Sequence, residues 1–514
     1  MTANASAASV PRPERARPAI RNAGRVVVLG ILLGLAGQLL FYGVGIGLNA
    51  PIAIGLILVA GWIARRPGTT PRLLDWWLAP AALTFAVFAA IRADPSIVAL
   101  DLLAALGLTG MALVSFTGRA VIPTAFAALL ALALSVAGWV VTGLVPALGD
   151  ARRSIPAETF KADRARTAMP ILRGVLIAIP IVIVFVVLFS SADAVFASMV
   201  EELASVRLDV GDMPGRLALA AAIAWLATGV LAMTAASAAP QGEAVPRLGW
   251  RLGETEAVTV LAAVVAVFAV FVVLQAAYLF GGLDTLAITG LGYAEYARRG
   301  FFELVAVAIL AGGLVTTVDQ LARRRTTALV AGGIALAALT GVVVASAAFR
   351  MRLYQEAYGW TELRLYVLAT IVLLGVLLAV LVAALVANRV RWMGHAVLVS
   401  GLAVGLALNL IGPVRFITEQ NVARVVDPSL VPEHGTSGLD ASYLGSLDMD
   451  AVPGLIEALP RLEGIAADLV RSQLRLRLEV LRAEPDGWQA WNVGRSGAFS
   501  ALEAAEKRGV LSEN

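Results

Sequence analysis

Apolar runs of about twenty residues recur along this chain. They constrain it more than any other feature, because that length crosses the hydrocarbon layer of a bilayer as a helix. The first covers Val26 to Val44, the second Ala50 to Ile63, the third Trp76 to Ala90 and the fourth Ile97 to Phe116. The fifth runs from Val121 to Leu148, the sixth from Pro170 to Ser190, the seventh from Leu217 to Ala236 and the eighth from Ala257 to Phe280. The ninth starts at Gly300, the tenth covers Ala328 to Ala348, the eleventh Leu365 to Ala387 and the twelfth His395 to Ile411. The pattern predicts an all-α fold, a polytopic transmembrane bundle of about twelve helices (eleven to thirteen) with a small helical soluble domain at its C-terminal end. Residues 1–25 read as a disordered basic N-terminus, 26–413 as the membrane domain and 414–514 as the soluble domain. No convincing cleavage motif follows the first run, so it reads as an uncleaved helix.

With 59% apolar and 15% charged residues, the chain lies far from a soluble average. It has no cysteine, which removes disulfides, thiolate metal sites and cysteine nucleophiles. Its two histidines, His395 and His434, argue against a histidine metal site or proton relay. No pattern asks for a metal or cofactor. The net charge of +4 comes from arginines beside apolar runs, where they set topology, and is not a nucleic-acid signal.

Alternate loops divide by charge. One set carries Arg152, Arg153, Lys161, Arg164 and Arg166, then Arg247 and Arg251, then Arg323, Arg324 and Arg325, then Arg389 and Arg391. The other balances its arginines with Glu201, Glu202, Asp209, Asp284, Glu295, Glu356 and Glu362. The first set is expected in the cytoplasm, and the second, with everything after Pro413, outside. The expected location is a multi-pass protein of the bacterial plasma membrane with an extracytoplasmic C-terminus. One conflict stands: the arginine-rich N-terminus also belongs inside, and twelve crossings would return the tail there. Val121 to Leu148 is the weak segment, open to reading as two short helices or a re-entrant hairpin. Between runs six and seven, Asp193 to Arg216 reads as an amphipathic interfacial helix.

After Pro413 the spacing is helical. Asp440 caps a helix through Leu447, Asp448 or Asp450 opens a second turn, Ile465 to Ala483 is amphipathic, and Gly497 to Lys507 closes the chain.

Polar residues inside apolar runs are the candidate functional groups. In Tyr293-Ala-Glu-Tyr-Ala-Arg-Arg-Gly-Phe-Phe-Glu303, residues Glu295, Arg299 and Glu303 fall four apart, which on a helix makes a charge ladder. Two crossings later, Arg350 to Tyr366 repeats the alternation of ions and aromatics, so both stretches end on one side. The candidate cluster is Glu295, Arg298, Arg299, Glu303, Arg350, Arg352, Tyr354, Glu356, Tyr358, Glu362 and Arg364. Glu303 reads either as a proton or cation site or as half of an ion pair with Arg299, Arg350 or Arg352. Glu295, Arg298 and Arg299 suit an anionic lipid or glycan headgroup, or simple interfacial anchoring. Tyr354, Tyr358, Trp360 and Tyr366 suit a sugar platform or an aromatic belt. Asp101 is expected to pair with Arg92 or Arg119, or to line a pathway. Asp193 reads as a cap. Gln38, Gln275 and Asn409 read as interhelical hydrogen bonds, and Gly312-Gly313 and Gly332-Gly333 as packing surfaces.

The runs Tyr293 to Leu304, Arg350 to Tyr354, Tyr358 to Arg364, Leu439 to Leu444 and Asp450 to Pro453 resemble a bacterial family of multipass membrane proteins of the DUF4173/DUF4153 type. The resemblance runs from about Met169 onward. It implies an integral membrane location and carries no assigned chemistry, so no catalytic residue comes with it.

Three functions fit. The first is a binding, regulatory or scaffold protein of the cell envelope, in which loops 192–215, 281–299 and 350–364 share a face with the C-terminal domain. Its partners would be the lipid bilayer and an envelope protein or an anionic lipid or glycan. The second is a secondary transporter coupled through Glu303. The third is a membrane-embedded transferase on a lipid-linked substrate. No catalytic residue stands out, and oligomeric state is open.

Overall fold

A computed structural model describes residues 19–122, 126–153, 212–236, 251–280, 301–432, 440–483 and 485–512, and an isolated helical Val182. Seventeen α-helices and no strand occur among the described residues. Among the described residues, nine helices of 18 residues or more are apolar enough to cross a membrane. The fold class is that of a polytopic helical membrane bundle.

The first helices form a compact antiparallel group. They are α1 (Ala23–Phe41), α2 (Asn49–Ala64), α3 (Leu78–Ile91) and α4 (Pro95–Ser115). Asn49, fully buried, closes the α1–α2 turn: its amide donates to the carbonyls of Leu40 at 3.0 Å and Gly45 at 2.8 Å. Asp94 caps α4 by accepting from the Ser96 N–H at 2.9 Å, with Pro95 at the first helical position, the usual chemistry of a helix start.

Two bent helices follow, α5 (Phe126–Thr142) and α6 (Leu144–Arg153). They pass Gly143 at an angle of 54°. Just before α5, the Ile122 N–H donates to Asp75 at 3.1 Å, and near the end of α6, Asp150 accepts from the Ile20 N–H at 2.8 Å. Asp75 precedes α3 and Ile20 precedes α1, so the pair begins and ends at the same end of the bundle. Gly143 packs on Gly229 of α7 (Met213–Ala235), six residues before that helix ends, or about 9 Å. The run Val121 to Leu148 is therefore a re-entrant element and not a fifth crossing.

The remaining membrane helices are α8 (Glu254–Phe280), α9 (Phe301–Leu321), α10 (Thr327–Tyr358), α11 (Glu362–Val386) and α12 (Met393–Ile411). One core unites α8 to α11 through Leu261, Val318, Leu336 and Leu381. A second unites α2, α3 and α4 through Leu58, Leu78 and Leu108. A third joins α1, α6 and α7 through Val26, Ala147 and Leu231.

Basic residues gather at one end. Arg66 donates to the carbonyl of Ala236, the Leu252 N–H bonds to Leu321, and Arg325 pairs with Asp319 at 3.0 Å while also holding Asn388. The tail occupies the opposite end, and Ile20 lies at the basic one. The re-entrant pair removes the parity conflict in the sequence reading. The expected sixth run apart from Val182, and most of the interfacial helix with Asp193, lie outside the described residues.

The tail consists of α13 (Pro413–Val426), α14 (Ala441–Ser446), α15 (Val452–Ala458), α16 (Gly464–Ala483) and α17 (Val493–Lys507). Asp440 caps α14 through the Tyr443 N–H at 2.9 Å, Asp448 opens the next turn, and Asn492 caps α17. Its core is continuous with the membrane helices: Leu455, Val470, Leu474 and Leu502 cluster with Ile97 of α4, Leu365 of α11 and Leu408 of α12.

Candidate functional site

The tail meets the bundle through buried polar groups that the α3–α4 turn presents. Helix α3 ends at Ile91, leaving its last carbonyls without intrahelical donors. Asn492 meets them: its side-chain amide donates to the carbonyl of Arg92 at 2.8 Å and of Ala89 at 3.3 Å. The Ala93 N–H donates to Asp450 at 3.0 Å. At the neighbouring turn, Leu48 and Asn49 donate backbone N–H groups to the carbonyls of Trp491 at 2.9 Å and Gln489 at 2.8 Å. Arg495 reaches the Ile46 carbonyl at 3.0 Å and pairs with Asp486 at 2.7 Å.

The α10–α11 turn supplies the second half of the junction. Sequence spacing ended the tenth helix at Ala348 and made 350–364 a loop. Instead α10 continues to Tyr358, and only Gly359 to Thr361 turn. The helix stops because Gly359 takes φ of 78° and Thr361 caps α11 through the Arg364 N–H, a glycine exit and a threonine entry. Two arginines satisfy the C-terminal carbonyls of α10. Arg424 donates to Glu356 at 2.7 Å and Ala357 at 3.3 Å, and Arg364 donates to Tyr358 at 2.9 Å and Gly359 at 2.6 Å. Asn421 clasps Trp360, accepting from its N–H at 2.8 Å and donating to its carbonyl at 2.7 Å. A polar cavity of about 280 Å³ lies here, lined by Arg364, Arg424, Asn421, Asp440 and Tyr443 among others.

A chain of acidic and phenolic groups joins the two halves. The Tyr366 hydroxyl lies 3.0 Å from Asp94, and the Glu362 N–H donates to the Tyr443 oxygen at 2.8 Å. The Glu362 carboxyl group faces Asp94 and interacts with Asp448. Burial pushes the Tyr443 phenol up to about 12. Burial also pushes the Asp448 and Asp450 carboxyls above the ordinary aspartate range, with the charge on Asp94 adding to the effect at Asp448. Burial lowers the Arg477 guanidinium, and the Asp448 charge works against that shift. This wall of carboxyls is therefore costly to desolvate, and backbone N–H donors and nearby guanidiniums offset the cost.

Deeper in the bundle, Asp101 of α4 accepts from the Asn409 amide at 2.6 Å, with both residues essentially fully buried. Asp101 and Asn409 line a cavity of about 660 Å³ between α4, α11 and α12. Arg119 sits at the other end of α4, so Asp101 does not pair with it. Arg92 lies close enough to act on Asp101 electrostatically while donating to the Asn409 carbonyl. Asn409 makes the interhelical hydrogen bond that its position inside an apolar run implied.

The sequence-derived cluster divides in the structure. Glu295, Arg298 and Arg299 lie outside the described residues. Glu303 falls in α9, with its side chain outside them too. Arg352 pairs with Glu356 at 2.7 Å on an exposed helix face. Tyr354 and Tyr358 pack with their rings tilted by 59° and centroids 5.2 Å apart, and the Arg364 guanidinium covers Tyr354 at 4.2 Å. Trp360 packs edge-on against Phe416 of α13, and Tyr366 turns inward to Asp94. The four aromatics therefore form no single platform. Sequence reasoning missed Asp94, Asp450 and Asn492 as junction groups. Their helix-start chemistry was visible, but their partners are 357 or more residues away in the two longest cases.

These features define a multi-pass helical bundle carrying a helical tail module locked onto one end. A family model described as Domain of unknown function (DUF4153) matches residues 78–458. The chain belongs to the DUF4153 family. The match reaches back to α3, well before the point at which resemblance was legible in the motifs, and runs forward through α15. No curated protein and no solved structure matches the chain.

Proposed function

We propose that the protein is a binding and regulatory protein of the cell envelope, with the tail module and the α10–α11 turn forming one extracytoplasmic face. The segregation of charge between the two ends supports this reading. Arg65, Arg66, Arg72, Arg119, Arg152, Arg153, Arg323, Arg324, Arg325, Arg389 and Arg391 all belong to the end opposite the tail. Short arginine-rich loops stay in the cytoplasm, and this supports reading residues 414–514 as a soluble helical module outside. Because that module shares its core with α4, α11 and α12, a ligand on the tail would be felt by the membrane helices. A reporter active only outside the cytoplasm, fused after Asn514, is expected to be active, and a reporter fluorescent only inside is expected to stay dark. The reverse pattern overturns the assignment. A truncation lacking residues 414–514 should reproduce the phenotype of a full deletion, and intact behaviour would sink the binding role.

A second reading, ion-coupled transport, draws support from one observation. An intramembrane carboxylate is expensive unless it works, and Asp101 lines a cavity between three helices. In this reading the coupling group is Asp101. Asp101→Asn is expected to abolish proton-dependent uptake in vesicles, and unchanged uptake would end it.

A further inference from the structure

A third cavity, of about 410 Å³, lies among α1, α2, α4, α5 and α7. Its lining is apolar except for the Thr109 hydroxyl, which is already bonded to the Ala105 carbonyl at 2.7 Å. A space of this kind stays dry and takes hydrocarbon. It exists because α5 and α6 turn back at Gly143, with Val136 and Val140 of α5 lining the space. Neither helix of the pair continues towards the tail end. Three lining leucines, Leu56, Leu106 and Leu226, are 39%, 58% and 44% exposed on the outer surface of the bundle, so the space opens sideways to lipid.

A cationic group stands above it. On α7, Ile223, Ala227 and Val230 face the cavity. Arg216 lies seven residues before Ile223, on the same helical face and about 10 Å nearer the tail end. Its guanidinium rests 4.6 Å over the Tyr42 ring. It pairs with Asp212 at 4.0 Å, with both side chains exposed, a pairing worth little. Arg216 also sits in the first turn of α7, where the helix dipole favours an anion.

We propose that this cavity holds the acyl chain of an anionic glycerophospholipid whose phosphate is bound at Arg216. The chain would descend from headgroup level along α7 to the floor formed by α5. The site is independent of the tail face, and its failure would leave the envelope-binding reading intact.

The test is native mass spectrometry of the full-length protein in detergent, titrated with phosphatidylglycerol or with phosphatidylcholine of identical chains. The wild type is expected to retain one phosphatidylglycerol, at least tenfold tighter than phosphatidylcholine. Arg216→Gln should remove that preference while chain binding persists. Ala53→Phe, which fills the cavity, should weaken both lipids by tenfold or more. Ala36→Leu is the milder filling variant should the first fail to fold. A photo-crosslinking residue at Leu226 should label the bound chain in wild-type background. Retention of phosphatidylglycerol by a folded, filled variant at wild-type affinity overturns the proposal. So does equal binding of the two lipids by the wild type, or a polyisoprenyl phosphate that binds where phosphatidylglycerol does not.

Discussion

Gly34→Leu is expected to separate α1 from α7 and to destabilise the bundle by about 3 kcal/mol, the upper range for forcing a large side chain into a packed contact. Helices in lipid gain little from apolar burial against one another, so they associate through close backbone approach at small residues. Gly30, Gly34 and Gly37 form such a stripe on α1, facing Thr228, Ala220 with Ala224, and Ile223 on α7. A Cβ at Gly34 would meet the Ala220 carbonyl oxygen and would stand 2.6 Å from the Ala224 Cβ. Both are held by a helix, so neither can yield without moving α7. Gly24, in the same helix, has nothing within 4 Å of an added Cβ. Gly24→Ala should therefore be neutral or stabilising by about 0.5–1 kcal/mol, since glycine costs that much inside a helix. Thermal unfolding in detergent reads both. Equal midpoints for wild type and Gly34→Leu would mean that this contact does not hold the first half of the bundle together.

Asn492→Ala is expected to release the tail from the bundle. The residue is 1% exposed and serves two helices at once. Its oxygen caps α17 through the Arg495 N–H at 3.1 Å, and its amide satisfies the end of α3 through Arg92 and Ala89. Losing a cap costs about 1 kcal/mol, and each buried carbonyl left without a donor costs about 1–3 kcal/mol. The sum, about 3–7 kcal/mol, is a factor of roughly 100 to 100,000 in the docking equilibrium. Limited proteolysis of the tail should accelerate accordingly, while a conformational probe on α8 or α9, whose core includes no tail residue, stays unchanged. Asn492→Asp keeps the cap oxygen but loses both amide donations and sets a carboxylate against two carbonyls. It should be at least as damaging, which separates docking from capping. Wild-type protease resistance in both variants would show that the junction does not depend on this side chain.

The contrast between Asn492 and Glu303 shows where sequence reading reaches. In the sequence Asn492 is only a residue leading into the last helix, because nothing local marks the end of α3 as its partner. Glu303 stood out because a carboxylate in an apolar run is conspicuous by itself. Likewise Asp440 and Asn409 were read with their roles, and Asp448 as one of two candidates with Asp450, since a cap or an interhelical amide is set by position within one segment. The cluster at 350–364 was found, but its aromatics were grouped by chain proximity, whereas α10 carries Tyr354 and Tyr358 and the turn sends Trp360 and Tyr366 to different neighbours.

The sequence by itself determined the class: apolar runs of membrane length force helices, and the arginine pattern separates two ends, because hydrocarbon admits no unpaired backbone and short basic loops do not cross. It also determined the start of α14, where the Asp440 side chain lies three residues before the N–H that it accepts from. Only the tertiary structure decided that Val121 to Leu148 turns back. Length and hydropathy are the same for a crossing and a re-entrant pair, and what separates them is the close contact of Gly143 with Gly229. Only the tertiary structure, too, decided that Asp94, Glu362, Tyr443 and Asp450 share one junction. Those groups come from three stretches far apart in the chain, and the free energy that gathers them lies in long-range contacts that no local pattern records.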